Sequence, residues 1–327
     1  MTRRRRSIED KLAELDSPSD CADRSVQAGR LEAALGDAHY RVVAKAASTA
    51  AASLGYELVP ALLAAYPRLI EQGPKRDPGC FAKKAIARAL VELDCDDVAF
   101  FLDGLRCRQL EPAYGGSVDT AADVRSSCAM GLVASGYSRA LVEVTELLDD
   151  PEAQARMGAV RAIGCGNPRE AELLLRAKAI HGDPEPTVVG ECFTGLLAVE
   201  PDESPAFVAR FLHRRNDAAI RELAALALGE SHLPAALAQL QAAWDDVLPD
   251  RSFRRALIRA AALHRSDAAL DWLVSFVGEG DRRVAEDTLE AVVMYKRNPS
   301  LEERLRAALA QRADRELEER FAELWRP

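Results

Sequence analysis

The chain has 327 residues, of which 48% are hydrophobic, 29% are charged and only 6% are aromatic, a composition typical of a soluble, helix-rich protein. The formal net charge of −9 argues against duplex nucleic acid as the main partner, because such binding requires a strongly basic surface. The net charge does not exclude a local basic groove. No apolar run is long enough to span a membrane and no secretory signal follows the first residues, so we expect a cytoplasmic protein without membrane contact.

The N-terminal segment, positions 1–23, differs from the rest of the chain. An arginine run occupies positions 3–6, an amphipathic stretch at residues 8–15 predicts a short capping helix, and residues 17–23 are typical of a polar linker. The arginine run is either a solvated start of the chain or an electrostatic tether for an acidic partner. We therefore place the first domain boundary after residue 23.

From residue 24 to residue 298 the sequence repeats itself. Each copy has an apolar anchor, often followed by a basic residue, and small or apolar residues four, five, seven and eight positions later, as in VRSSCAMGL and IRELAALAL. The anchors are Val42, Ala82, Val124, Ala155, Val188, Ile220, Phe253 and Val284. Their spacing is short and nearly constant from Val124 onward, and the two gaps before Val124 are distinctly longer. These offsets form one face of an α-helix, and the regular period indicates stacked helical repeats.

A second amphipathic segment lies between successive anchors, for example at residues 138–148, 168–180, 234–244 and 266–277. Proline stands where several of these first helices should begin, at Pro60, Pro168, Pro205, Pro234 and Pro299. Aspartate stands five residues before several anchors and can cap the second helix, at Asp37, Asp77, Asp119, Asp150 and Asp183. Two helices with short turns in each repeat indicate a repeated helix hairpin rather than a βαβ unit.

The aspartate, the anchor followed by a basic residue and the helix of small residues together resemble the short bacterial HEAT repeat, also called the PBS-lyase-like HEAT repeat. The resemblance runs from about Asp37 to a degenerate ninth copy at Leu317. It implies an all-α fold, namely a right-handed α-α superhelix (a HEAT-like solenoid) of about nine helix-pair repeats. It also implies a ladder in which the basic residue after the anchor, such as Lys83, Arg125 or Arg156, bonds the preceding aspartate. A shared repeat of this kind says little about function.

One stretched repeat carries an inserted loop at residues 108–123, RQLEPAYGGSVDTAAD. Insertions are the usual way in which a repeat protein acquires a private feature. Tyr114 is expected to be exposed, Gly115 and Gly116 to be flexible, and Asp119 to precede a helix, so these four are the candidate partner-binding residues of the loop. The alternative is a long turn that caps its helix and packs along the edge. Anion binding at the N-terminus of the following helix is less favoured, because the lysine and the spacing of a P-loop are missing.

The C-terminal segment, residues 299–327, is predicted to be a degenerate capping repeat. Its last helix is strongly charged, and the bulky Phe321 and Trp325 stand where other copies have alanine. No further helix could stack tightly on such a surface. A solenoid needs a cap of this kind at each open end.

The HEAT resemblance further implies that the second helices line a concave groove, with offsets 2, 3 and 6 from the anchor pointing into it. The candidate groove residues are Lys84, Arg88, Ser127, Met130, Arg161 and Arg259. The groove is predicted to be basic near Lys84 and acidic near Glu286, Asp287 and Glu290. Such a charge gradient suits a peptide or protein segment with its own polarity. The alternative is a solvated helix face without a dedicated ligand.

No constellation in the sequence commits the chain to a reaction. The cysteines are Cys21, Cys80, Cys95, Cys107, Cys128, Cys165 and Cys192. Their number is odd and no pair has the two-residue gap of a zinc or redox motif, so we expect reduced, small apolar residues. Some HEAT-type proteins are iron hydroxylases, which would require paired His-Glu dipeptides, and none of the five histidines here precedes a glutamate. Helical-repeat DNA glycosylases use a basic concave face, whereas this chain is acidic.

We therefore predict a non-enzymatic scaffold or adaptor that binds another protein or peptide, without a cofactor or a metal, and that is monomeric or weakly self-associating. The alternative is an accessory subunit of a HEAT-type lyase or enzyme. Nucleic-acid binding is the least favoured class because of the net charge.

Overall fold

Helices make up most of the structure. A computed structural model describes residues 7–16, 24–246 and 250–326, and within these ranges the chain forms nineteen α-helices and one two-stranded β-hairpin. The predicted all-α architecture is thus confirmed apart from the hairpin. The arginine run at 3–6, the linker at 17–23 and Cys21 lie outside the described residues. The chain divides into two compact units, Met1–Asn167 (unit 1) and Pro168–Pro327 (unit 2).

Unit 1 is a series of helices that pack in sequence order. They are α1 (Ile8–Asp16), α2 (Arg24–Leu35), α3 (Tyr40–Ala52), α4 (Val59–Gln72), α5 (Phe81–Glu92), α6 (Val98–Leu105), α7 (Ala122–Ala134), α8 (Ala140–Thr145) and α9 (Ala153–Gly164). The anchor-bearing helices contact one another in turn, α3 with α5, α5 with α7 and α7 with α9. Between α4 and α5 the chain forms two short 3-10 turns, Gly73–Lys75 and Pro78–Cys80.

Unit 2 continues the same alternation. Its helices are α10 (Pro168–His181), α11 (Pro186–Val199), α12 (Ser204–Ala209), α13 (Ala218–Glu230), α14 (Pro234–Asp246), α15 (Arg251–His264), α16 (Asp267–Glu279), α17 (Arg282–Ala291), α18 (Pro299–Arg312) and α19 (Arg315–Leu324). The contacts run from α11 through α13, α15 and α17 to α19. Pro168, Pro234 and Pro299 each begin a helix, as predicted, because the first helical residue needs no N–H donor.

Small residues at the template positions let neighbouring helices approach closely. Ala46, Ala47 and Ala50 of α3 are all completely buried. One residue beyond the last template position of α13, a Cβ atom built on Gly229 would lie 2.2 Å from the carbonyl oxygen of Ala260 on α15, so only glycine fits at that point. The side chains at these slots thus set the spacing of the stack.

Aspartates begin the anchor-bearing helices in two registers. In unit 1, Asp77 stands five residues before its anchor, and its Oδ1 accepts a hydrogen bond from the N–H of Ala82 at 2.8 Å, which confirms its predicted capping role. In unit 2, Asp250 stands three residues before its anchor and is itself the N-cap, accepting from the N–H of Phe253 at 3.2 Å. The N-caps of this second kind are Asp217, Asp250, Asp281 and Asp314. Both registers satisfy N–H groups that have no partner inside the helix.

The inserted segment at 108–123 folds as a β-hairpin in place of the predicted loop. Strand β1 (Leu110–Ala113) pairs antiparallel with β2 (Gly116–Asp119). The two-residue turn between them is Tyr114–Gly115, and Gly115 has a φ of 87°, a conformation that costs glycine nothing. The glycine pair that was expected to be flexible therefore closes a defined turn.

Candidate functional site: a hairpin anchored by buried charge

The hairpin has two faces, which we name by their position. Residues opposite each other in an antiparallel pair share a face, so Glu111 and Val118 point one way, and Pro112 and Ser117 point the other way. The inner face carries Glu111 and Val118 and is extended by the flanking Gln109 and Thr120. The outer face carries Leu110, Pro112 and Ser117, and the register also places Asp119, which is buried, on this face opposite Leu110.

The inner face is held to the body of unit 1 by polar groups. Glu111 Oε1 accepts a hydrogen bond from the backbone N–H of Gly79 at 2.7 Å. The same oxygen accepts from Gln109 Nε2 at 2.7 Å and from Thr120 Oγ1 at 2.8 Å. Burial acts to raise the pKa of Glu111, but the bonds from Gln109, Thr120 and Gly79, with the charge of Lys83, outweigh it and hold this pKa below its ordinary value. An ionised carboxylate is thus the centre of the inner face.

Lys83 lies beneath this face and is only 1% exposed. Its Nζ donates to Gln109 Oε1 at 2.7 Å and to the carbonyl oxygen of Leu69 at 3.3 Å, and lies 3.3 Å from Asp77 Oδ2. The predicted ladder contact between Lys83 and Asp77 is therefore confirmed. A buried ammonium group requires such partners, and the hairpin supplies one of them through Gln109.

A second buried cluster holds the end of β2. Arg125 of α7 is fully buried, and its guanidinium donates to Asp119 Oδ2 at 2.7 Å and to Asp150 Oδ1 at 2.8 Å. Arg108 adds a further ion pair to Asp150 Oδ2 at 2.8 Å. Two cations and two carboxylates thus neutralise one another, and the predicted contact between Arg125 and Asp119 is confirmed.

Asp119 is an anchor and not a partner-binding residue. Its Oδ1 accepts from the N–H groups of Gln109 and Ala121, both at 3.0 Å, while its Oδ2 is engaged by Arg125. Burial acts to raise the pKa of Asp119, but these hydrogen bonds and the charge of Arg125 lower it overall. The structure therefore corrects the expectation that Asp119 contacts a partner, because its carboxylate is buried and already occupied.

The outer face and the tip are apolar and exposed. Leu110 retains 66% of its accessible surface, and Tyr114 at the tip is completely exposed, as predicted. Pro112 and Ser117 are also exposed. A hairpin packed on a protein normally buries its apolar face and solvates its polar face. On β1 this polarity is reversed, because Gln109 and Glu111 are turned toward the body of unit 1 and Leu110 is turned to solvent, while on β2 both Ser117 and Val118 are exposed.

Another exposed apolar side chain, that of Phe81, lies in the first turn of α5. Phe81 is 62% exposed, and its ring lies over Gly79, where an added Cβ would come within 2.9 Å of it. The ring centroid of Tyr40 is 6.1 Å away. Since Gly79 donates to Glu111, this aromatic pair adjoins the base of the hairpin. We call the exposed residues Leu110, Pro112 and Tyr114 together the hairpin surface.

The second helices of unit 1 carry five of the six predicted groove residues. Lys84 forms an ion pair with Asp123, and Ser127 Oγ donates to the carbonyl oxygen of Asp123 at 3.0 Å. The polar groups of both side chains therefore have partners within unit 1. Arg88 and Arg161 are exposed, and Met130 is half-buried. Ligand binding by these residues, and with it the groove in unit 1, stays a prediction.

The sixth predicted groove residue, Arg259, lies in unit 2 beside a cleft of about 450 Å³ whose lining includes Leu226, Leu263 and Met294. Its guanidinium is 3.0 Å from Glu222 Oε1. The carboxylates that were predicted to make this end acidic are paired in the same way. Asp287 meets Arg251 at 3.1 Å, and Glu290 meets Arg255 at 3.4 Å and Arg320 at 3.1 Å. The predicted acidic end is thus largely neutralised by arginines, two of which, Arg255 and Arg320, stand at groove offsets 2 and 3 from their own anchors.

The cysteines of the described residues are unpaired, and five of the six are buried, while Cys165 is exposed. Burial raises the pKa of the Cys80 thiol to about 11 and that of the Cys192 thiol to about 12. These groups are therefore protonated at neutral pH, which is a poor state for a nucleophile. Within the described ranges, no cluster of three or more His, Cys, Asp or Glu side chains is arranged to hold a metal ion. In the same ranges, no helix has both the length and the apolarity to cross a bilayer.

Sequence reasoning missed the anchoring residues Gln109, Glu111 and Thr120. A signal for them was present, because two short runs flank a Tyr-Gly-Gly turn, and glycine pairs are typical of hairpins. Given that turn, alternation places Gln109 and Glu111 on one face. The partners of this face, Gly79 and Lys83, are distant in sequence and could not have been found in this way.

Comparison with known proteins gives little beyond this geometry. No protein-family model matches the sequence, and no curated protein matches it significantly. Among solved structures, human deoxyhypusine hydroxylase in complex with glycerol is 17% identical over 78% of this chain and 93% of its own, with a TM-score of 0.31. An engineered protein is 16% identical over 97% of this chain and 93% of its own, with a TM-score of 0.38. Similarities at this level carry no argument about activity.

Proposed function

We propose that the protein is a non-enzymatic scaffold or adaptor of the HEAT-repeat type, and that the hairpin surface binds a segment of another protein. The observation that carries this proposal is the reversed polarity of the hairpin. Leu110 and Tyr114 face solvent although the polar Gln109 and Glu111 are held behind them by hydrogen bonds to unit 1. Apolar groups gain about 25 cal/mol for each Å² removed from water, so the hairpin surface favours a covering partner.

The anchoring of the hairpin supports the same proposal. A turn that only linked α6 to α7 would need neither the Glu111 centre nor the Asp119–Arg125 pair. Because both contacts hold the base of the hairpin in place, its tip is ordered before a partner binds. Less conformational freedom is then lost on binding. Exposed aromatic side chains such as Tyr114 are also the residues that most often dominate interface energies.

The repeat architecture is part of the proposal. The regular anchor spacing from Val124 onward, the helix contacts that run in sequence order and the buried aspartate–base pairs support a right-handed solenoid of about nine short HEAT repeats. In such a fold the second helices form the inner surface. Arg88 and Arg161, which are exposed on α5 and α9, would then provide a secondary contact for an acidic stretch of the same partner.

Affinity capture from native lysate tests the proposal. Full-length protein is compared with a Leu110→Asp/Tyr114→Ser variant and with Val142→Asp, a matched control at an exposed apolar residue of α8 in the same unit. We expect the hairpin variant to recover its specific partner at least about tenfold less well, because each buried anchor contributes on the order of 2 kcal/mol. The control should recover it as wild type does.

A second pair of variants separates the hairpin from the groove. Arg88→Glu/Arg161→Glu should weaken capture less than the hairpin variant and in a salt-dependent way. If all variants recover the same proteins in equal amounts, the hairpin surface is not the binding site. If only the arginine variant loses the partner, the second helices carry the function alone.

A further inference from the structure

We propose that the partner segment binds as an extended strand added to the free edge of β2, so that the hairpin becomes a three-stranded sheet. This inference rests on the proposed function and makes it more specific, because it names the conformation of the bound segment and the main-chain groups that hold it. Three features of the hairpin lead to it: the phase of its hydrogen bonds, the position of its proline and the composition of β2.

The phase of the ladder shows which main-chain groups point outward. The N–H of Thr120 donates to the carbonyl oxygen of Gln109 at 2.9 Å, which places this pair among the hydrogen-bonded pairs. Hydrogen-bonded and non-hydrogen-bonded pairs alternate in an antiparallel ladder. The pair Glu111–Val118 is therefore hydrogen-bonded, whereas Pro112 and Ser117 form a non-hydrogen-bonded pair. The main-chain N–H and C=O of Ser117 consequently point away from β1.

Proline closes the opposite edge. Pro112 lies on β1 directly across from Ser117, at a position where the N–H of any other residue would point outward. The ladder with β2 loses nothing from this proline, but the outer edge of β1 loses a donor. Pro112 thus protects the outer edge of β1 against strand addition, as proline does on the edge strands of natural sheets.

The β2 edge lacks that protection. Its sequence, Gly116–Ser117–Val118–Asp119, contains neither proline nor lysine, and the paired register continues through all four residues without a bulge. Ser117 is exposed, and the described structure gives no hydrogen bond from another residue to its main chain. An exposed row of such groups is a template for an incoming strand.

The chemistry of the two faces specifies the incoming segment. Side chains of an added strand alternate between the outer face, beside Ser117, and the inner face, beside Val118, which is 41% exposed. A segment with apolar residues at every second position would cover Val118, while main-chain hydrogen bonds to Ser117 supply affinity that does not depend on sequence. An amphipathic helix would instead lie across Leu110 and Tyr114 and would leave the β2 edge free.

The experiment uses a random library of twelve-residue peptides displayed on phage. The library is selected on the full-length protein and counter-selected on the Leu110→Asp/Tyr114→Ser variant, and the most enriched peptide is synthesised. Its dissociation constant is measured for wild type, Ser117→Pro and Ser117→Ala. Ser117→Pro removes the outward donor and should weaken binding at least about tenfold. Ser117→Ala keeps the main chain and should stay within about twofold.

A scan of backbone N-methylation along the same peptide gives a second readout that does not require a variant protein. Strand addition predicts that methylation weakens binding at alternate residues, because only every second N–H of an edge-bound strand faces the sheet. If Ser117→Pro fails to fold, as judged by circular dichroism, this scan decides alone.

The outcomes separate the two proposals. A peptide that requires Leu110 or Tyr114, but binds Ser117→Pro normally and shows no alternation, leaves the hairpin surface as the binding site and overturns strand addition. A selection that yields no peptide dependent on Leu110 or Tyr114 contradicts both proposals. Loss of binding with Ser117→Pro together with alternation in the scan establishes the three-stranded sheet.

Discussion

Units 1 and 2 are built from the same repeat, but the arginine–aspartate ion pairs of Arg125 and Arg221 differ in how deeply they are buried. In unit 1 the ladder is buried, because Arg125 has no exposed surface and bridges Asp119 and Asp150 of two successive repeats. In unit 2 the corresponding Arg221 forms an ion pair with Asp250, whose side chain is 39% exposed. The ion pairs of Arg125 are therefore enclosed by protein, whereas the pair of Arg221 with Asp250 is partly open to solvent.

The difference coincides with the hairpin. Where the hairpin is inserted, Gln109 and Glu111 cover Lys83, and the end of β2 covers Arg125, so these charges are removed from water and must be fully paired. In unit 2 no such insertion is present, and Asp217, Asp250, Asp281 and Asp314 act as N-caps. An inserted element thus turned an ordinary surface feature of the repeat into a buried network. The cost of breaking that network should be correspondingly high.

The largest effect is expected for Arg125→Met. The substitution removes the bridge and leaves Asp119 and Asp150 buried with fewer partners, which should lower the free energy of unfolding by about 3–5 kcal/mol. The matched change in unit 2, Arg221→Met, should cost on the order of 1 kcal/mol, since Asp250 can be solvated and methionine can keep contact with Phe253. Both variants are compared by urea denaturation.

Two spectroscopic probes follow the unfolding of these variants. All three tryptophans, Trp244, Trp272 and Trp325, lie in unit 2, so tryptophan fluorescence reports on that unit, whereas far-UV circular dichroism reports on both. Arg125→Met should therefore shift the circular dichroism midpoint more than Arg221→Met does. Equal shifts for the two variants would mean that burial does not distinguish the two ladders.

A smaller effect is expected from adding one methyl group to each unit. The Cβ atom of Gly104→Ala would lie 2.2 Å from the Cys128 sulfur, so the substitution should cost about 1–3 kcal/mol by overpacking. Gly278→Ala is the matched control, because its Cβ would lie 3.7 Å from that of Ala308, an ordinary contact. It should be neutral or should stabilise by up to about 1 kcal/mol.

The cause of the cost at Gly104 can be tested directly. Three other copies of the template have alanine at the position of Cys128, namely Ala46, Ala159 and Ala224. Gly104→Ala/Cys128→Ala should be more stable than Gly104→Ala alone, because the clashing sulfur is gone. The unfolding midpoints from thermal denaturation measure this coupling, and strictly additive effects would show that the clash is relieved elsewhere.

Acid should loosen unit 1 through the hairpin anchors. The pKa values of Asp119 and Glu111 lie below their ordinary values, so the stability that these groups contribute is complete above about pH 4–4.5, where they are ionised even in the unfolded chain. It is lost as pH falls through the lower pKa values of the folded state. Each carboxylate that takes up a proton changes stability by up to about 1.4 kcal/mol per pH unit.

Urea midpoints between pH 7 and pH 3, followed by circular dichroism, measure this slope. Asp119→Asn should be less stable at pH 7 and should show a shallower loss below pH 4, because the group that titrates is absent. A slope as steep as that of wild type would assign the acid sensitivity to other carboxylates.

Much of the helical fold could be predicted, because it depends on local periodicity. The evenly spaced anchors and the helix-starting prolines place α10, α14 and α18 almost to the residue. The contact of Arg125 with Asp119 also followed from the repeat. What periodicity could not supply is the pairing between repeats. Asp150 as the second partner of Arg125 and Arg320 as a partner of Glu290 depend on how helices stack, which no local pattern encodes.

The candidate site was predicted only in part for the same reason. Tyr114 of the inserted segment was expected to be exposed, and it is. The hairpin itself was missed because the Gly115–Gly116 pair was read as a sign of flexibility, although it also fits a tight turn. The inward direction of Glu111 depends on Gly79, a contact between residues far apart in the chain. The polarity of the hairpin is thus a property of the tertiary structure.

The smallest expected effect is also the most direct test of that polarity. If Leu110 truly belongs to the outer face, Leu110→Thr removes no packed contact and places a β-branched residue in the strand, so the free energy of unfolding should change by less than about 0.5 kcal/mol. Ile180→Thr is the matched control in unit 2, where isoleucine is equally exposed on a helix. It should cost slightly more, since threonine is a weaker helix former. A loss of more than about 2 kcal/mol for Leu110→Thr would place this leucine in the core of unit 1, because only buried apolar side chains cost that much to truncate. The reversed hairpin, with the binding surface inferred from it, would then have to be abandoned.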